Sequence, residues 1–589
     1  MVNMRSAKTY HFRLLAILLG LAGKTLLAQS PFDPEFSMEA ARIREEVQLF
    51  TDRNLYAVGE DIQFVAEHRV SGALGSSYWS SVLYVELVAP AGIAVAQGKY
   101  LLLGGRAQGT LRIPASALTG DYTLKCYSRW MRNQGPASFA YVPLKIINPF
   151  RSEVAAHGGG DPPSVPVSRV PFQGGLECAV SSPVQLPGEE VKLQLSATLP
   201  PHLEQLPCCL TVVPAGAIDL DGGQYVLSPS QGEGEDFRVV YLPDLGNGVA
   251  VSGTVVDASR EPVTYATLHF SLLGDKPDYF TTISDEHGRF IFSTPAAEGL
   301  MELFVTPQRA EGTVLEVRID QEYDTRPVSL PREKFRLSEL EKDLARRITM
   351  NVQLSEAFSE GFSSTDSVPV AGPVTGSSGI GHQPFYGTRV KQLLIDDYVR
   401  LPNLEEVFIN LVPDVQFYKK RGENRIRILS DNASMAIYEP LIMIDHISVF
   451  DHEAVLALSP EKIDRIDLIN EVYLKGNVAF GGVLAIYSKE GDLAGIDLPE
   501  GSYFFDYQSF YPNQESGQTQ WERMKEAASG RVPDTRNTIY WTGDLQLQRG
   551  RALEIPFRAP ETPGEYVVLV RGVDPQGEVL AATARFRVD

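Results

Sequence analysis

The residues best suited to chemistry lie in one short stretch, LIMIDHISVFDHEAVLALSPEKIDRIDLI, residues 441–469. It contains two Asp-His pairs, Asp445-His446 and Asp451-His452, six residues apart. Two imidazoles and two carboxylates can together bind a transition metal. The same residues also suit a turn after a strand and the start of a short helix, with Asp451 as its N-cap. We favour the structural interpretation and keep the metal site as the alternative.

Complete catalytic or metal-binding motifs are not found. HEAVL (452–456) begins like the zinc-protease motif H-E-x-x-H, but Leu456 stands where the second histidine is needed. AGKT (22–25) lacks the upstream glycine of a phosphate-binding loop. DLDGG (219–223) would need a glutamate at position 12 of a calcium loop, where Ser230 stands. We predict no catalytic, cofactor-binding or metal site and no enzymatic activity, with a hidden hydrolase as the alternative.

Four cysteines are too few for a disulfide scaffold. Cys178 could form one bridge, to Cys208 or to Cys209, in an oxidising compartment. Four free buried thiols, with Cys126 as the fourth, are the equally open alternative. The sequence contains no C-x-x-C, so neither a zinc site nor thioredoxin-type chemistry is indicated.

Charge and length exclude some classes of protein. The chain has 589 residues, so several domains are expected. Its net charge of −21 argues against a nucleic-acid partner, because phosphate contacts need clustered Lys and Arg.

The first 28 residues are predicted to be a signal peptide. Arg5, Lys8 and Arg13 precede the apolar run 14–23, and Ala28 suits the last position before cleavage. The run is about half the ~20 residues that a membrane-spanning helix needs. We expect no transmembrane segment in the mature chain, which would be periplasmic or associated with the outer membrane, with the cell surface as a further option.

The pattern of residues 45–149 predicts a β-sandwich, since apolar and polar residues alternate with period two. TDRNLYAVGEDIQF, with Asp52, Tyr56, Gly59 and Glu60, resembles the opening of macroglobulin-type β-sandwich domains. Residues 118–149 resemble closing strands of large extracytoplasmic proteins of Bacteroidetes. None of the four cysteines begins the thioester motif Cys-Gly-Glu-Gln, so the resemblance does not imply a covalent protease trap.

The next part of the chain is predicted to contain further β modules. Residues 150–170 are predicted to be a Gly/Pro-rich linker. Residues 171–246 repeat the sequence pattern of the first module, with an extended run, Pro-Gly, an acidic pair and an alternating strand, and are predicted to form a second sandwich. Residues 247–308 resemble the carboxypeptidase-regulatory-like domain, on Gly253, Asp257, Pro262, Ala266, Asp285, Gly288 and Phe290. That resemblance implies a binding or spacing module. A strand and helical connector (309–362) and a flexible linker (363–384) follow.

Residues 385–500 resemble the plug domain of TonB-dependent outer-membrane receptors, above all the SusC-like ones. We expect a helix and strand in 401–420, a strand LIMID (441–445), a helix-like segment 458–470 and a final strand in 478–492. The matching positions are Asp445, Val449, Leu458, Pro460, Ile463, Ile466, Leu468, Gly476, Gly482, Val483, Ile486 and Lys489. His446 stands where the family has Gly. Only 89 residues follow position 500, too few for the receptor barrel.

The tail, residues 531–589, is predicted to form a further macroglobulin-type sandwich; the alternative is the C-terminal sorting domain of type IX secretion substrates.

The fold class is therefore mainly β: tandem Ig-like or macroglobulin-like β-sandwich domains with a small α+β plug-like domain. We expect a non-catalytic extracytoplasmic scaffold or accessory protein. Its expected partner is an outer-membrane protein or complex, such as a TonB-dependent, SusC-like receptor or an assembly machine. The alternatives are a peptide- or glycan-binding accessory of SusC-like nutrient uptake and a macroglobulin-like protease inhibitor that lacks the thioester.

Overall fold

The computed structural model describes residues 40–72, 79–156, 167–220, 223–227, 239–244, 248–274, 277–308, 314–327, 330, 334–360, 385–387, 390–476, 478–499, 501–512, 517–527 and 532–589. The predicted signal peptide (1–28) and the predicted linker 363–384 lie outside the described residues. No helix in the described ranges is both long and apolar enough to cross a bilayer.

The chain is mainly β, as predicted. In chain order the strands are β1 Arg44–Thr51, β2 Leu55–Ala57, β3 Asp61–Ser71, β4 Val82–Val88, β5 Ala94–Leu101, β6 Arg106–Arg112, β7 Gly120–Ser128, β8 Ala140–Ile147, β9 Val167–Arg169, β10 Leu176–Val180, β11 Val184–Gln185, β12 Glu190–Ala197, β13 Gln205–Pro214, β14 Tyr225–Leu227, β15 Ala250–Asp257, β16 Thr267–Leu273, β17 Asp278–Ile283, β18 Arg289–Ser293, β19 Leu300–Pro307, β20 Leu315–Ile319, β21 Lys391–Leu394, β22 Val415–Lys420, β23 Glu423–Ile428, β24 Leu441–Ile444, β25 Ile447–Ser448, β26 Ile463–Ile469, β27 Tyr473–Lys475, β28 Val478–Phe480, β29 Val483–Ser488, β30 Tyr503–Gln508, β31 Tyr540–Gln548, β32 Leu553–Arg558, β33 Gly564–Val573 and β34 Val579–Val588. The helices are α1 Glu339–Glu360, α2 Leu404–Leu411, α3 His452–Leu456 and α4 Gly517–Ala527.

The first sandwich packs a sheet of order β1-β3-β6 against a larger one of order β5-β4-β7-β8-β14-β9, in which β2 also pairs with β8. Strand β1 has much of the predicted alternation, whereas β4 is buried on both faces. Two of its strands come from outside the predicted module. Strand β9 lies in the predicted linker 150–170, and β14 lies in the predicted second sandwich 171–246.

The predicted sandwiches 171–246 and 531–589 are a single sandwich in the structure. One sheet has the order β10-β12-β32 and the other the order β11-β34-β33-β13-β31, so each sheet takes strands from both segments. Their side chains share one core, in which Val191, Leu193 and Val568 are fully buried. The prediction of two sandwiches was wrong because periodicity identifies strands but not their partners. Neither segment alone supplies two complete sheets to cover each other.

The third sandwich also extends beyond its predicted range of 247–308. Its sheets have the orders β18-β15-β20 and β17-β16-β19-β30. Strand β20 lies in the predicted connector 309–362, and β30 follows the α+β unit within residues 385–500. We call this unit the plug-like unit, only as a label for these residues. The units are therefore nested in the chain, with the plug-like unit inside the third sandwich and the third sandwich inside the composite one.

Helix α1 begins with a capping box. Ser338 Oγ accepts a hydrogen bond from Glu341 N (3.3 Å), and Glu341 Oε2 accepts one from Ser338 N (2.7 Å). Leu344 and Ile348 pack in the core cluster that joins the helix to the first and composite sandwiches. Leu340, one turn before Leu344, is 56% exposed.

The plug-like unit is a sheet of order β21-β26-β29-β24-β25 with helices α2 and α3 and the hairpins β22-β23 and β27-β28. Helix α2 has the predicted buried face, and Asn403 Oδ1 caps it by accepting from Glu406 N (3.0 Å). The segment 458–470, predicted as helix-like, is a 3₁₀ turn followed by β26. A register shift between Ile463 and Arg465 displaces the strand's apolar residues by one position, which imitates helical spacing.

Candidate functional site

The first Asp-His pair forms a tight turn between β24 and β25. Asp445 and His446 have φ angles of 46° and 70°, the left-handed conformation that a type I′ turn requires at both central residues. Asp445 stabilises this turn by accepting hydrogen bonds from Ser488 N (2.8 Å), Ser488 Oγ (2.6 Å) and Leu493 N (2.9 Å). Its carboxylate therefore has a structural role, linking the turn to the end of β29 and the loop beyond.

His446 contacts the third sandwich through its backbone, since its carbonyl oxygen accepts a hydrogen bond from Ser271 Oγ (2.7 Å). Its ring lies edge-on to Tyr487, with the ring centroids 5.2 Å apart. Burial lowers the pKa of His446 to about 4. The imidazole thus adds aromatic contacts at the junction of two units.

The second pair, Asp451-His452, begins α3 as predicted. Asp451 Oδ1 accepts a hydrogen bond from Ala454 N (3.0 Å), the N-cap interaction expected from the sequence. His452 Nδ1 accepts from Ile426 N (2.8 Å), which joins α3 to β23. In the described part of the chain, no three His, Cys, Asp or Glu side chains are grouped so that they could bind a metal.

The four cysteines are free thiols. Cys178 lies on β10, whereas Cys208 and Cys209 lie on β13 in the facing sheet, so the bridge left open by the sequence does not form. Burial raises the pKa of Cys178 to about 12.

The residues that suggested a macroglobulin-type opening form a buried polar junction. The fully buried Asp52 carboxylate accepts hydrogen bonds from the Tyr56 hydroxyl (2.7 Å) and from Thr538 Oγ1. Arg53 forms an ion pair with Glu60 (2.8 Å) and donates from Nε to Thr538 Oγ1 (3.0 Å). Because Thr538 immediately precedes the composite sandwich's β31, this junction fixes the first sandwich against the composite one.

A groove of about 930 Å³ crosses the outer face of the larger sheet of the first sandwich. Strand register puts its floor residues in rows, because cross-strand partners point to the same side of a sheet. One row is Gln97, Glu86, Lys125, Tyr141 and Tyr225; the next is Ala94, Val88, Thr123 and Pro143; the third is Asp121, Lys145 and Leu55.

The walls of the groove come from three other segments: the turn 89–93, the loop 216–219, and the stretch between β20 and the first turn of α1. Ion pairs hold these walls to the floor and to each other. Lys145 Nζ lies 2.7 Å from Glu341 Oε1, Arg169 pairs with Asp219, and Lys125 Nζ lies 2.7 Å from Glu86 Oε1. The groove is thus held open by contacts between units that are far apart in the chain.

The groove lining is polar and nearly neutral in a chain whose net charge is −21. Six Lys or Arg side chains face five carboxylates. Two of the cations, Lys334 and Arg336, are exposed on one wall and make no ion pair with any described residue. Val88, Ile93, Pro143 and Leu330 add apolar surface. Such a lining can accept a ligand that has both main-chain polar groups and apolar side chains.

Sequence reasoning missed this groove because its lining comes from seven separate parts of the chain. One signal was available. Asp121, Thr123 and Lys125 are polar residues at alternate positions of a strand whose other side chains are core residues. They marked the outer face of the sheet, but nothing in the sequence indicated which segments would cover it.

Comparisons with known proteins identify no family. No protein-family model matches the chain, and no curated protein matches it significantly. Among solved structures, the chain is similar to Salmonella alpha-2-macroglobulin reacted with methylamine (12% identity, TM-score 0.22) over 92% of this chain and 39% of that one. Native Escherichia coli alpha-2-macroglobulin is similar at 11% identity and a TM-score of 0.22, over 93% and 40% of the two chains. Dimeric latent PorU from Porphyromonas gingivalis is similar at 9% identity and a TM-score of 0.15, over 47% and 33%.

The chain thus spans about 40% of the length of the two macroglobulins. The identities and TM-scores are too low to carry any conclusion about activity or partners.

Proposed function

We propose that the protein is a non-catalytic extracytoplasmic scaffold or accessory protein that docks to an outer-membrane protein or complex. The observation that carries this proposal is the groove across the first sandwich. We assign to it the binding of an extended segment of the partner protein. An extended chain matches a long channel whose floor is a row of strands, because its polar groups can pair with polar lining while its side chains contact apolar patches.

The charge pattern favours a segment that contains an acidic residue. Most charged side chains of the lining form an ion pair with a neighbouring residue, so they do not need an opposite charge from the ligand. Lys334 and Arg336 are the exceptions on the wall. A carboxylate of the bound segment placed between them would form charge-assisted hydrogen bonds.

Photo-cross-linking in the native host tests this proposal. A benzoyl-phenylalanine placed at Thr123, on the groove floor, should form an adduct with one outer-membrane protein. The same probe at Glu286, in an exposed hairpin turn of the third sandwich, is the matched control and should not form that adduct. Identical adducts at both positions, or adducts with soluble proteins alone, would contradict the proposal.

A blocking variant separates the groove from the rest of the surface. Thr123→Trp adds a bulky side chain to the floor at a position that only partly contacts the core. It should abolish co-purification of the partner while leaving the circular dichroism spectrum and the melting temperature unchanged. If the partner still co-purifies fully, docking does not use the groove.

A further inference from the structure

The hairpin β22-β23 is the most cationic projection of an acidic protein. Within residues 415–428 there are five cations, Lys419, Lys420, Arg421, Arg425 and Arg427, and one carboxylate, Glu423. Lys419, Lys420 and Arg421 are consecutive and exposed. In a chain with a net charge of −21, such clustering is a local reversal of the overall charge.

Strand register places Lys420, Arg425 and Arg427 on the outer face of the hairpin, whereas Lys419, the partner of Asn424, is exposed on the other face. Arg421 and Gly422 form its two-residue turn, with φ angles of 55° and 96°. Val415, Ile426 and Ile428 at the base are buried in the core of the plug-like unit. Tyr418 and Arg425 are cross-strand partners, as are Gln416 and Arg427, so these four share the opposite, outer face. The base is thereby anchored in the core, while Lys419, Lys420 and Arg421 are exposed at the other end of the hairpin.

The carboxylates that face the hairpin compensate only part of its charge. Lys420 Nζ lies 3.3 Å from Glu439 Oε1, and Arg425 lies 2.9 Å from Glu423 Oε2. Glu453 accepts a hydrogen bond from the backbone at Asn424 (3.1 Å). Lys419 has no carboxylate partner among the residues that the structure describes, and Arg427 bonds only to Gln416 Oε1 (3.0 Å).

Exposed apolar and aromatic side chains accompany these cations. Ile437 is 76% exposed and Tyr438 is 38% exposed, immediately before the Glu439 that contacts Lys420. Tyr418 on the hairpin is also 38% exposed, and its ring lies 5.9 Å from the Arg427 guanidinium. An apolar side chain, two tyrosines and several cations on one surface match the interface of an anionic bilayer, where aromatic rings lie at headgroup level.

We propose that the tip of hairpin β22-β23, together with Ile437 and Tyr438, binds the surface of an anionic phospholipid membrane. The cations contact lipid phosphates, and Ile437 enters the boundary between headgroups and acyl chains. An acidic protein surface would use the same cations, but it gives no reason for the exposed isoleucine beside them. This inference is independent of the groove, which lies on the first sandwich.

Vesicle sedimentation with the mature chain, residues 29–589, tests the proposal. The protein should bind vesicles containing about 30% phosphatidylglycerol but not vesicles of phosphatidylcholine alone, and binding should fall steeply with added salt. Lys419→Gln/Lys420→Gln should weaken binding about 30-fold, since each Lys near an anionic surface contributes about 1 kcal/mol. The matched control, Lys342→Gln/Arg346→Gln, removes two exposed cations of α1 and should leave binding unchanged.

Ile437→Ser provides a second readout that leaves the charge intact. It should weaken binding to anionic vesicles while preserving the salt dependence. The proposal is overturned if the wild-type protein ignores anionic vesicles at low salt, or if the two double variants bind equally. A third result would also overturn the proposal: the wild type does not bind vesicles, yet the Lys419→Gln/Lys420→Gln variant loses membrane association in the native host. That result would indicate an acidic protein partner.

Discussion

Acid should destabilise the junction between the third sandwich and the plug-like unit through His269. This residue lies on β16 and is only 2% exposed. Its Nδ1 is hydrogen-bonded to the Tyr279 hydroxyl, and its Nε2 lies 3.4 Å from Gln308 Oε1. Its ring lies edge-on to Phe450 of the plug-like unit, with centroids 4.9 Å apart. A protonated imidazole at this position would lose its hydration, and its hydrogen-bond partners, Tyr279 and Gln308, include no carboxylate that could compensate its charge.

The size of the effect follows from proton linkage. Burial lowers the pKa of His269 from 6.5 to about 4 in the folded state. The stabilising contribution of the neutral imidazole is therefore complete above pH 6.5 and is lost as the pH falls towards 4, because the unfolded state binds the proton first. Between pH 7 and pH 5 the loss amounts to about 2 kcal/mol.

Hydrogen exchange of peptides that cover β16 measures this loss directly. After correction for intrinsic rates, His269 should contribute about 2 kcal/mol to the difference between the protection free energies of the wild type at pH 7 and at pH 5. In His269→Gln that difference should shrink by about 2 kcal/mol, whatever the variant does to stability at neutral pH. The exposed His287→Gln serves as the control and should behave as the wild type does. An unchanged pH dependence in His269→Gln would refute the reasoning.

Three other predictions concern single side chains. Gly476→Ala should lower the melting temperature by several degrees, because Gly476 has a φ of 58° and a Cβ there would lie 2.1 Å from the Thr281 carbonyl oxygen; a native-like melting curve would contradict this clash. Asn403→Ala should destabilise the plug-like unit by about 1 kcal/mol in urea unfolding, through loss of the α2 cap, whereas Asn403→Asp should retain most of the stability. Cys178 should react with a maleimide before the three buried thiols do, and mass spectrometry of the alkylated peptides would show equal labelling if that is wrong.

The sequence was sufficient to predict whether most elements are helices or strands, but it was insufficient to predict which strands pair with each other. The alternation in β12 and the apolar face of α2 are local patterns, and both elements were predicted correctly. The pairing of β12 with β32 joins residues 362 positions apart, and no local pattern records such a distance. The helical interpretation of 458–470 failed for a different reason, because the register shift after Ile463 changed the apparent period.

The predicted structural roles of the opening residues agree with the geometry, but their contacts could not be foreseen. Asp451 is the N-cap that its spacing indicated, and Asp445 lies in the expected turn. The contact of the His446 carbonyl with Ser271 depends on how two units pack, which periodicity does not specify. The groove is beyond sequence reasoning for the same reason, since its walls belong to several units.

The shared sheets of the composite sandwich affect the order in which the protein can be assembled. Strand β13 is an interior strand of its sheet, yet both of its neighbours, β31 and β33, come from the last fifty residues of the chain. Until these are synthesised, β13 presents two unpaired edges, and so much non-local pairing implies slow folding. The middle of the composite sandwich therefore cannot form its sheets until β31 to β34 have been synthesised. Its last strands close the fold and do not form a separable appendage.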